Sequence, residues 1–596
     1  MNKTWKINKK PPKKFWEQFP EYSRLTLQLL WDRRLKTQKA IDEFFNPDYS
    51  EDLHDPFLMK GMKKAIKRIE KALENKEKIT IFGDYDADGV CGVAILSETL
   101  RALGANPDIY IPDRNKEGYG LNLEVVKKVA SKRNQPACRQ AGLIITIDCG
   151  ITDFEEVKLA NKLGIDVVII DHHEVPNKLP LAVSIIDPRQ RGEKYPFREL
   201  AASGVGFKVA QALLKHKIQD TRYKIQTGRE KWLLDLVAIA TVADMMPLIG
   251  ENRTLVKYGL VVLSQTKRLG LQELMRIAGI KPAINHELLV TNLDSYTLGY
   301  ILGPRLNAAG RMDHANTAYE LLVTKSKEEA ETLARRLNSK NQDRQRLTDR
   351  ITQEVEKRLK TLKTKKKMIF EGDKNWLIGV VGLIAGRLSD KYYRPTIVFQ
   401  KMKNESKGSA RSIPSFNIIE AISKCQDLLK DFGGHPGAAG FTVPNKNLKK
   451  FEQKLLKIAK GTIKNKDLVP LLNIDLEIKP EELSFEVYEE IQKFAPFGQG
   501  NRNPLFLMKN LKVSSFKLVG SNCSHLKLCL SKELKDGGIK RFQAIGFGFG
   551  KFCDIIKQND KIDIVFELIT NDWNGTRELQ LKVIDLRISK QLISKL

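Results

Sequence analysis

An α/β fold with a parallel sheet, then a long helix, a second mixed α/β region and a small C-terminal β-barrel, is what this 596-residue sequence predicts. Three observations predict it. Short apolar runs alternate with helical stretches from about residue 79 to 187; one long helical periodicity follows near residue 333; beyond about residue 470 the pattern turns almost wholly to strands.

The first region contains ITIF (79–82), LIITI (143–147), VVII (167–170) and VSII (183–186), runs rich in β-branched residues of the kind that form buried strands. Amphipathic segments such as 154–163 separate them. Each run ends in a polar cluster: GDYDADG, DCG, DHH and DP. In an open parallel sheet ligands bind beyond the carboxyl ends of the strands, and all four clusters fall there.

From 333 to 359, Leu347, Ile351, Val355 and Leu359 recur every four residues with no Gly or Pro between them, so a charged connecting helix is expected, ending at the Lys-rich run near Lys365. A mixed region over about 368–456 carries GVVGLIAGRL, KGSARSI and FGGHPGAAGF. NIDLEI, PLFLM, HLKLCL, RFQAIGFGFG, KIDIVFEL and ELQLKVIDLRI follow, with Asn574-Gly575 as a hairpin turn between the last two. Five or six strands in so short a span read as an OB-type barrel.

Composition narrows the partners. The formal net charge is +29, spread along the chain, which favours a polyanion because Lys and Arg release counterions from phosphates. No run approaches the ~18 apolar residues of a membrane span. The N-terminus is basic without an apolar core, so neither a signal peptide nor a membrane association is expected. Seven scattered cysteines without a CxxC pair suit reduced thiols in a cytoplasm.

The clusters carry the chemistry. Asp84, Asp86 and Asp88 alternate directly after a strand, and three carboxylates so close repel one another unless a cation lies between them. An EF-hand begins the same way, but its twelfth position needs a Glu where this chain has Ile95, and it follows a helix. An aspartyl nucleophile of the haloacid-dehalogenase type has Thr or Val where this chain has Asp88. Asp148 in IDCG and the triplet Asp171-His172-His173 stand at further strand ends, two of only eight histidines being adjacent. Imidazole with carboxylate is a ligand set for Mn²⁺ and related ions. Asp244 in ATVADMMPL, taken alone, reads as a helix-end cap.

The order DxDxDG, D, DHH and TVADxxPL resembles the DHH phosphoesterase superfamily. IPDRNKEGYGLN, SGVGFKVAQAL, GPRLNAAGRMD, GSARSI, FGGHPGAAGF and APFGQGNRNP are similar to its RecJ branch, over about residues 50–590. The resemblance implies an N-terminal extension (1–50), a DHH domain (51–332), a connecting helix (333–366), a DHHA1 domain (367–462) and an OB-fold domain (463–596), around a central hole or cleft. It implies two divalent ions, Mn²⁺ or Mg²⁺, on Asp84, Asp86, Asp88, Asp148, His172 and Asp244, with Asp148 bridging and His173 on the scissile phosphate. Two positions depart from relatives that carry a His there, Phe82 and Leu377.

The activity so implied is 5′→3′ hydrolysis of single-stranded DNA to nucleoside 5′-monophosphates, in repair and recombination. Expected at the 5′-phosphate are Ser409 and Arg411, with Arg114, Arg305, Asn307 and Arg311 nearby and His435 on phosphate. A monomer assisted by a single-strand-binding protein and a helicase completes the expectation. Two rivals remain at this point: a DHH enzyme of short oligonucleotides or cyclic dinucleotides, and an inactive DNA-binding scaffold.

Overall fold

The computed structural model describes residues 3–114, 116–131, 142–217, 226–285, 290–361, 366–520, 522–573 and 576–589. Contacts divide the chain into two compact units: Asp48–Leu468 with Gly498–Gly500, and Met1–Pro47 with Val469–Phe497 and Asn501–Leu596.

In the first unit, β1 (Lys78–Gly83), β2 (Asp108–Tyr110), β3 (Gly142–Ile147), β4 (Ile165–Ile170) and β5 (Ser184–Ile186) form one sheet in the order β2-β1-β3-β4-β5, every pairing parallel. Side chains alternate between its two faces. Ile145, Ile147, Val168 and Ile170 enter one core with the helices α1 (Ala87–Ala102) and α2 (Ala202–Lys217). Ile144, Val167 and Ile169 enter another with Val125, Val126 and Val157. Burial on both faces explains why these strands read as continuous apolar runs. The edge strand β2, three residues between Pro107 and Pro112, is too short to show a period in the sequence.

The helix α3 (Leu234–Ala243), apolar but for Asp235 and Thr241, and the helix α4 (Gly303–Met312) complete this layer. The long helix α5 spans Lys327–Thr361. Its first turns bury Leu333, Ala334 and Leu337 in the parallel-sheet core. Its later turns bury Ile351 and Val355 against Trp376, Val380 and Ile384 in a different core, which includes the helix α6 (Ile378–Tyr392). One helix thus ties two cores together, so its middle is charged. Beyond it, β6 (Ile369–Asp373), β7 (Thr396–Lys401), β8 (Glu405–Arg411), β9 (Asp431–His435) and β10 (Ala438–Pro444) form a mixed sheet in the order β9-β10-β8-β7-β6. Residues 362–365, which include the start of the Lys-rich run, lie outside the described residues.

The second unit is a closed barrel of β11 (Phe506–Val519), β12 (His525–Glu533), β13 (Ile539–Gly546), β14 (Lys561–Trp573) and β15 (Thr576–Ile588). Antiparallel pairing of β11 with β14 and parallel pairing of β13 with β15 close it and leave no free barrel edge. Asn574-Gly575 lies outside the described residues, though Trp573 and Thr576 on either side are in register. The N-terminal residues join this unit. Thr4–Ile7 pairs in parallel with Leu471–Ile474, and Phe15, Leu29, Leu30 and Phe44 share the core of Phe506, Leu528 and Phe566. No helix among the described residues is long and apolar enough to cross a membrane.

Candidate metal centre and its arginine rim

Sheet register builds the site. Gly83 pairs with Ile147, Ile147 with Ile170 and Ile170 with Ile186. The ladder runs one residue further: Asp84 donates its backbone N–H to Ile147, Asp148 to Ile170 and Asp171 to Ile186, at 3.0–3.3 Å. Asp84, Asp148, Asp171 and Asp187 therefore end four adjacent strands in one row.

Local geometry aims them. Asp148 sits at φ 63, a left-handed conformation that Asp tolerates better than most residues, and its carbonyl accepts the Tyr119 hydroxyl at 3.0 Å. Asp86 caps α1, accepting from the N–H groups of Asp88 and Gly89 at 2.9 and 3.2 Å. Asp88 spends both oxygens on the first turn of α2, accepting from Ala202 at 2.7 Å and Ser203 at 2.8 Å. Asp171 braces its own triplet: one oxygen accepts from the backbone of His172 and His173 and lies 2.7 Å from His173 Nδ1, the other accepts from Ile151. Asp244 caps the C-terminal end of α3.

The result is one cluster. His172 Nε2 lies 3.3 Å from Asp148, 3.7 Å from Asp244 and 3.8 Å from Asp88. Three overlapping groups can each hold a cation: Asp84 with Asp86 and Asp148; Asp148 with His172 and His173; Asp88 with His172 and Asp244. Burial first, and then neighbouring carboxylates, pushes Asp84, Asp148 and Asp244 well above the usual carboxylate range. Asp84 Oδ1 and Asp148 Oδ1 are buried with no hydrogen-bond partner among the described residues. Burial also lowers the His172 pKa, leaving a neutral imidazole free to ligate. Stacked negative charge, orphaned oxygens and a neutral nitrogen together fit divalent cations and fit little else. His173 differs: burial opposes its charge, but the hydrogen bond to Asp171 and the charges of Asp171, Asp244 and Asp84 together outweigh it and lift the pKa to about 9.

The arginines gather beside this cluster. On α4, Asn307 Oδ1 accepts the Ala87 N–H at 2.8 Å and so ties α4 to the first motif. Gly310 admits the Tyr85 carbonyl, which would lie 2.4 Å from any Cβ there. Burial, then Arg114 and Arg344, lower the Arg311 pKa to about 10, with Asp86 the opposing charge. Arg114 lies over the Tyr85 ring at 5.0 Å. Arg411 donates to Ser409 Oγ at 2.9 Å, and α6 makes room for both at Gly382, where a Cβ would sit 3.2 Å from that oxygen and 3.4 Å from Arg411 Nη2. Among the described residues none of Arg114, Arg311, Arg344 and Arg411 pairs with a carboxylate. Converging guanidiniums without acids make an anion site.

Two expected residues join this set less directly, although Arg305 is near enough to Arg344 for its charge to lower the Arg344 pKa. Arg305 braces Asn338 Oδ1 at 3.1 Å and the Ile301 carbonyl at 2.7 Å. His435 is exposed and pairs with Ala438, which pairs with Arg411, so it shares a sheet face with Arg411 two strands, about 10 Å, away. Phe82 is buried and stacked on Tyr110, a core position.

Comparison with known proteins extends this geometry. Models described as "DHH family, N-terminal domain", "DHHA1 domain" and "RecJ OB domain" match residues 78–241, 365–465 and 474–585. The single-stranded-DNA-specific exonuclease RecJ of Bacillus subtilis is 37% identical over 95% of this chain and 68% of its own length. The chain belongs to the RecJ family. The Escherichia coli RecJ is 31% identical over 88% of this chain and 90% of its own. A crystal structure of RecJ in complex with Mn²⁺ from Thermus thermophilus covers 99% of this chain and 80% of that one at a TM-score of 0.81 and 26% identity. An exonuclease RecJ bound to manganese covers 67% and 95% at 0.56 and 31% identity. A RecJ-family chain is an enzyme of the DHH phosphoesterase fold; the four strand-end acids lie within the stretch that the DHH model matches, and most of the barrel within the stretch that the OB model matches.

Sequence reasoning missed two members of the site. Arg344 is one of several arginines on α5, and nothing local marks it; only the fold brings it beside Arg311. Tyr119 lay inside a quoted motif, but only the structure shows its hydroxyl at Asp148 and, 3.4 Å away, at His173.

Proposed function

We propose that this chain trims single-stranded DNA from its 5′ end, releasing nucleoside 5′-monophosphates, in DNA repair and recombination. One observation carries the reading: a cluster of buried and half-buried groups, Asp84, Asp86, Asp148, His172 and Asp244, lies next to four arginines that, among the described residues, form no ion pair with a carboxylate. The cluster suits cleavage of a phosphodiester, and the arginines suit a terminal phosphate beside it.

In this reading Asp84, Asp86, Asp88, Asp148, His172 and Asp244 would hold two divalent cations, Mn²⁺ or Mg²⁺, and Asp88, which also accepts from the first turn of α2, positions the set. When bound, such ions supply a polarised phosphodiester and a water activated near neutral pH. The residues do the rest. His173, whose Nδ1 is held by Asp171, offers its other ring nitrogen as a hydrogen-bond donor to the scissile phosphate. Asn307 keeps the Asp86 turn in place. Arg411, Ser409, Arg311, Arg114 and Arg344 seat the 5′-phosphate with charge-assisted hydrogen bonds and so set polarity. The excess positive charge and the OB barrel suit binding of a single strand.

The chain works in this reading as a cytoplasmic monomer, with a single-strand-binding protein and a helicase preparing its substrate. Single- and double-stranded DNA labelled at either end, incubated with Mn²⁺, tests it. Mononucleotides are expected first from the 5′ label of the single strand. Release from the 3′ label, or cleavage of a dinucleotide but no long strand, overturns it.

A further inference from the structure

Two tyrosines lie outside every role assigned above. Tyr296 and Tyr300 are 60% and 71% exposed, yet their rings are stacked, 5.0 Å apart at 17°. A spacing of four puts them on one side of a helical turn, Thr297–Leu302, which is π-helical, a form concentrated at functional sites. Asp294 Oδ1 fixes the start of the turn, accepting from the Thr297 N–H and hydroxyl at 2.8 Å each.

The position of the turn matters. Gly299 and Gly303 press it onto the end of α3: a Cβ would lie 3.2 Å from Val242 and 3.0 Å from Ala243, the residues just before Asp244. Met245, just after Asp244, is itself 71% exposed. The same helix runs on as α4 through Asn307, at the carboxylate cluster, to Arg311, in the arginine set. From Tyr300 to Arg311 the axial rise is about 16 Å, with the cluster approached between them. Arginine pocket, carboxylates and tyrosine pair therefore lie in that order along one helix.

The geometry points to a nucleobase platform: Tyr296 and Tyr300 stack a base of the single strand on the 3′ side of the scissile phosphate. This rests on the strand-trimming reading above. A strand whose 5′-phosphate sits at Arg311 and Arg411, and whose first linkage sits at the carboxylates, leaves toward the other end of α4. There it meets the exposed tyrosine pair. Stacking on an aromatic face is indifferent to sequence, because every base has a π-face, and a pair already stacked loses little freedom when a base joins it. Such a platform holds the shortened strand for the next cut.

A 5′-phosphorylated oligonucleotide carrying a fluorescent adenine analogue at successive positions, mixed with the full chain in EDTA, reads the platform directly. Quenching is expected at one position a few nucleotides from the 5′ end, abolished in Tyr300→Ala and kept in Tyr300→Phe and Tyr300→Trp. With Mn²⁺, Tyr300→Ala is expected to shrink the KM advantage of a long strand over a dinucleotide by about tenfold, the scale of one base–aromatic stack. Equal quenching in wild type and Tyr300→Ala, or loss in Tyr300→Phe as well, overturns the platform alone. A wild type that trims no single strand overturns the underlying reading and the platform with it.

Discussion

Asp148 Oδ1 lies 3.3 Å from His172 Nε2 and, although buried, has no hydrogen-bond partner among the described residues. A negative oxygen in that position has its desolvation uncompensated by the protein. The fold tolerates it because the next strand fixes the Asp148 backbone and Tyr119 holds its carbonyl.

Asp148→Asn is the clean test of that oxygen. Asn accepts the left-handed backbone of φ 63 as readily as Asp, whereas Ala adds strain of its own. Turnover of labelled single-stranded DNA is expected to fall by about a thousandfold or more, while melting temperature and strand binding by fluorescence anisotropy persist. A mutant that keeps a tenth of the activity would remove Asp148 from the centre of the reaction.

Arg411 and Gly382 predict one phenotype from opposite directions. Arg411→Ala removes a guanidinium from the anion pocket, and the preference for phosphorylated over hydroxyl 5′ ends is expected to drop by about tenfold or more, as for a charged hydrogen bond. Gly382→Val leaves every charge in place but pushes on Ser409 Oγ and Arg411 Nη2. It is expected to lower the same ratio. Competition between the two kinds of 5′ end measures both, and a ratio unmoved in Arg411→Ala places the 5′-phosphate elsewhere.

The legible and illegible parts of this chain separate by how local their causes are. Four strand ends could be read because a strand buried on both faces is a run of Val and Ile, and Asp or His must follow where it ends at a rim. The edge strand β2 could not, since three residues carry no period. Nor could the packing of Phe15, Leu29 and Phe44 into the barrel core, which joins residues hundreds of positions apart. Asp244 reads as an ordinary helix cap, and it is one; its place 3.7 Å from His172 comes from α3 packing on α1. Arg344 shares its helix with other arginines, and only the neighbouring fold selects it.

Asn307 tests whether α4 positions the first motif. Its amide oxygen is the acceptor for the Ala87 N–H, at the start of the helix that Asp86 caps. Asn307→Ala is expected to cost about 1 kcal/mol of stability and to lower kcat without changing the preference among 5′ ends, because the arginine set stays intact. Thermal unfolding and end competition report the two effects. A fall in the 5′-end preference would instead assign Asn307 to the phosphate pocket.

Acidity and cations bear on the same groups, with a sign that can be worked out. Burial and mutual repulsion hold Asp84, Asp148 and Asp244 well above their unfolded range, so the metal-free fold binds protons there that the unfolded chain does not. The destabilisation is complete where both states are ionised and fades as pH falls through the raised folded values toward the ordinary carboxylate range. His173 acts in the same direction: raised to about 9, it contributes stability below about 6.5 that is lost as pH climbs through 9. Two groups act in the opposite direction: His172, whose pKa burial lowers, only as pH falls below about 6.5, and Asp171, lowered by its histidines against burial, only below about pH 4. In EDTA the melting temperature of this unit is therefore expected to rise as pH falls from about 9 to about 6.5. Cations that bind the carboxylates offset the cost where it is largest, and protons compete with them where it is smallest. The gain in melting temperature on adding Mn²⁺ should be larger at the alkaline end. Equal gains at both ends would mean that the cation binds somewhere other than these three aspartates.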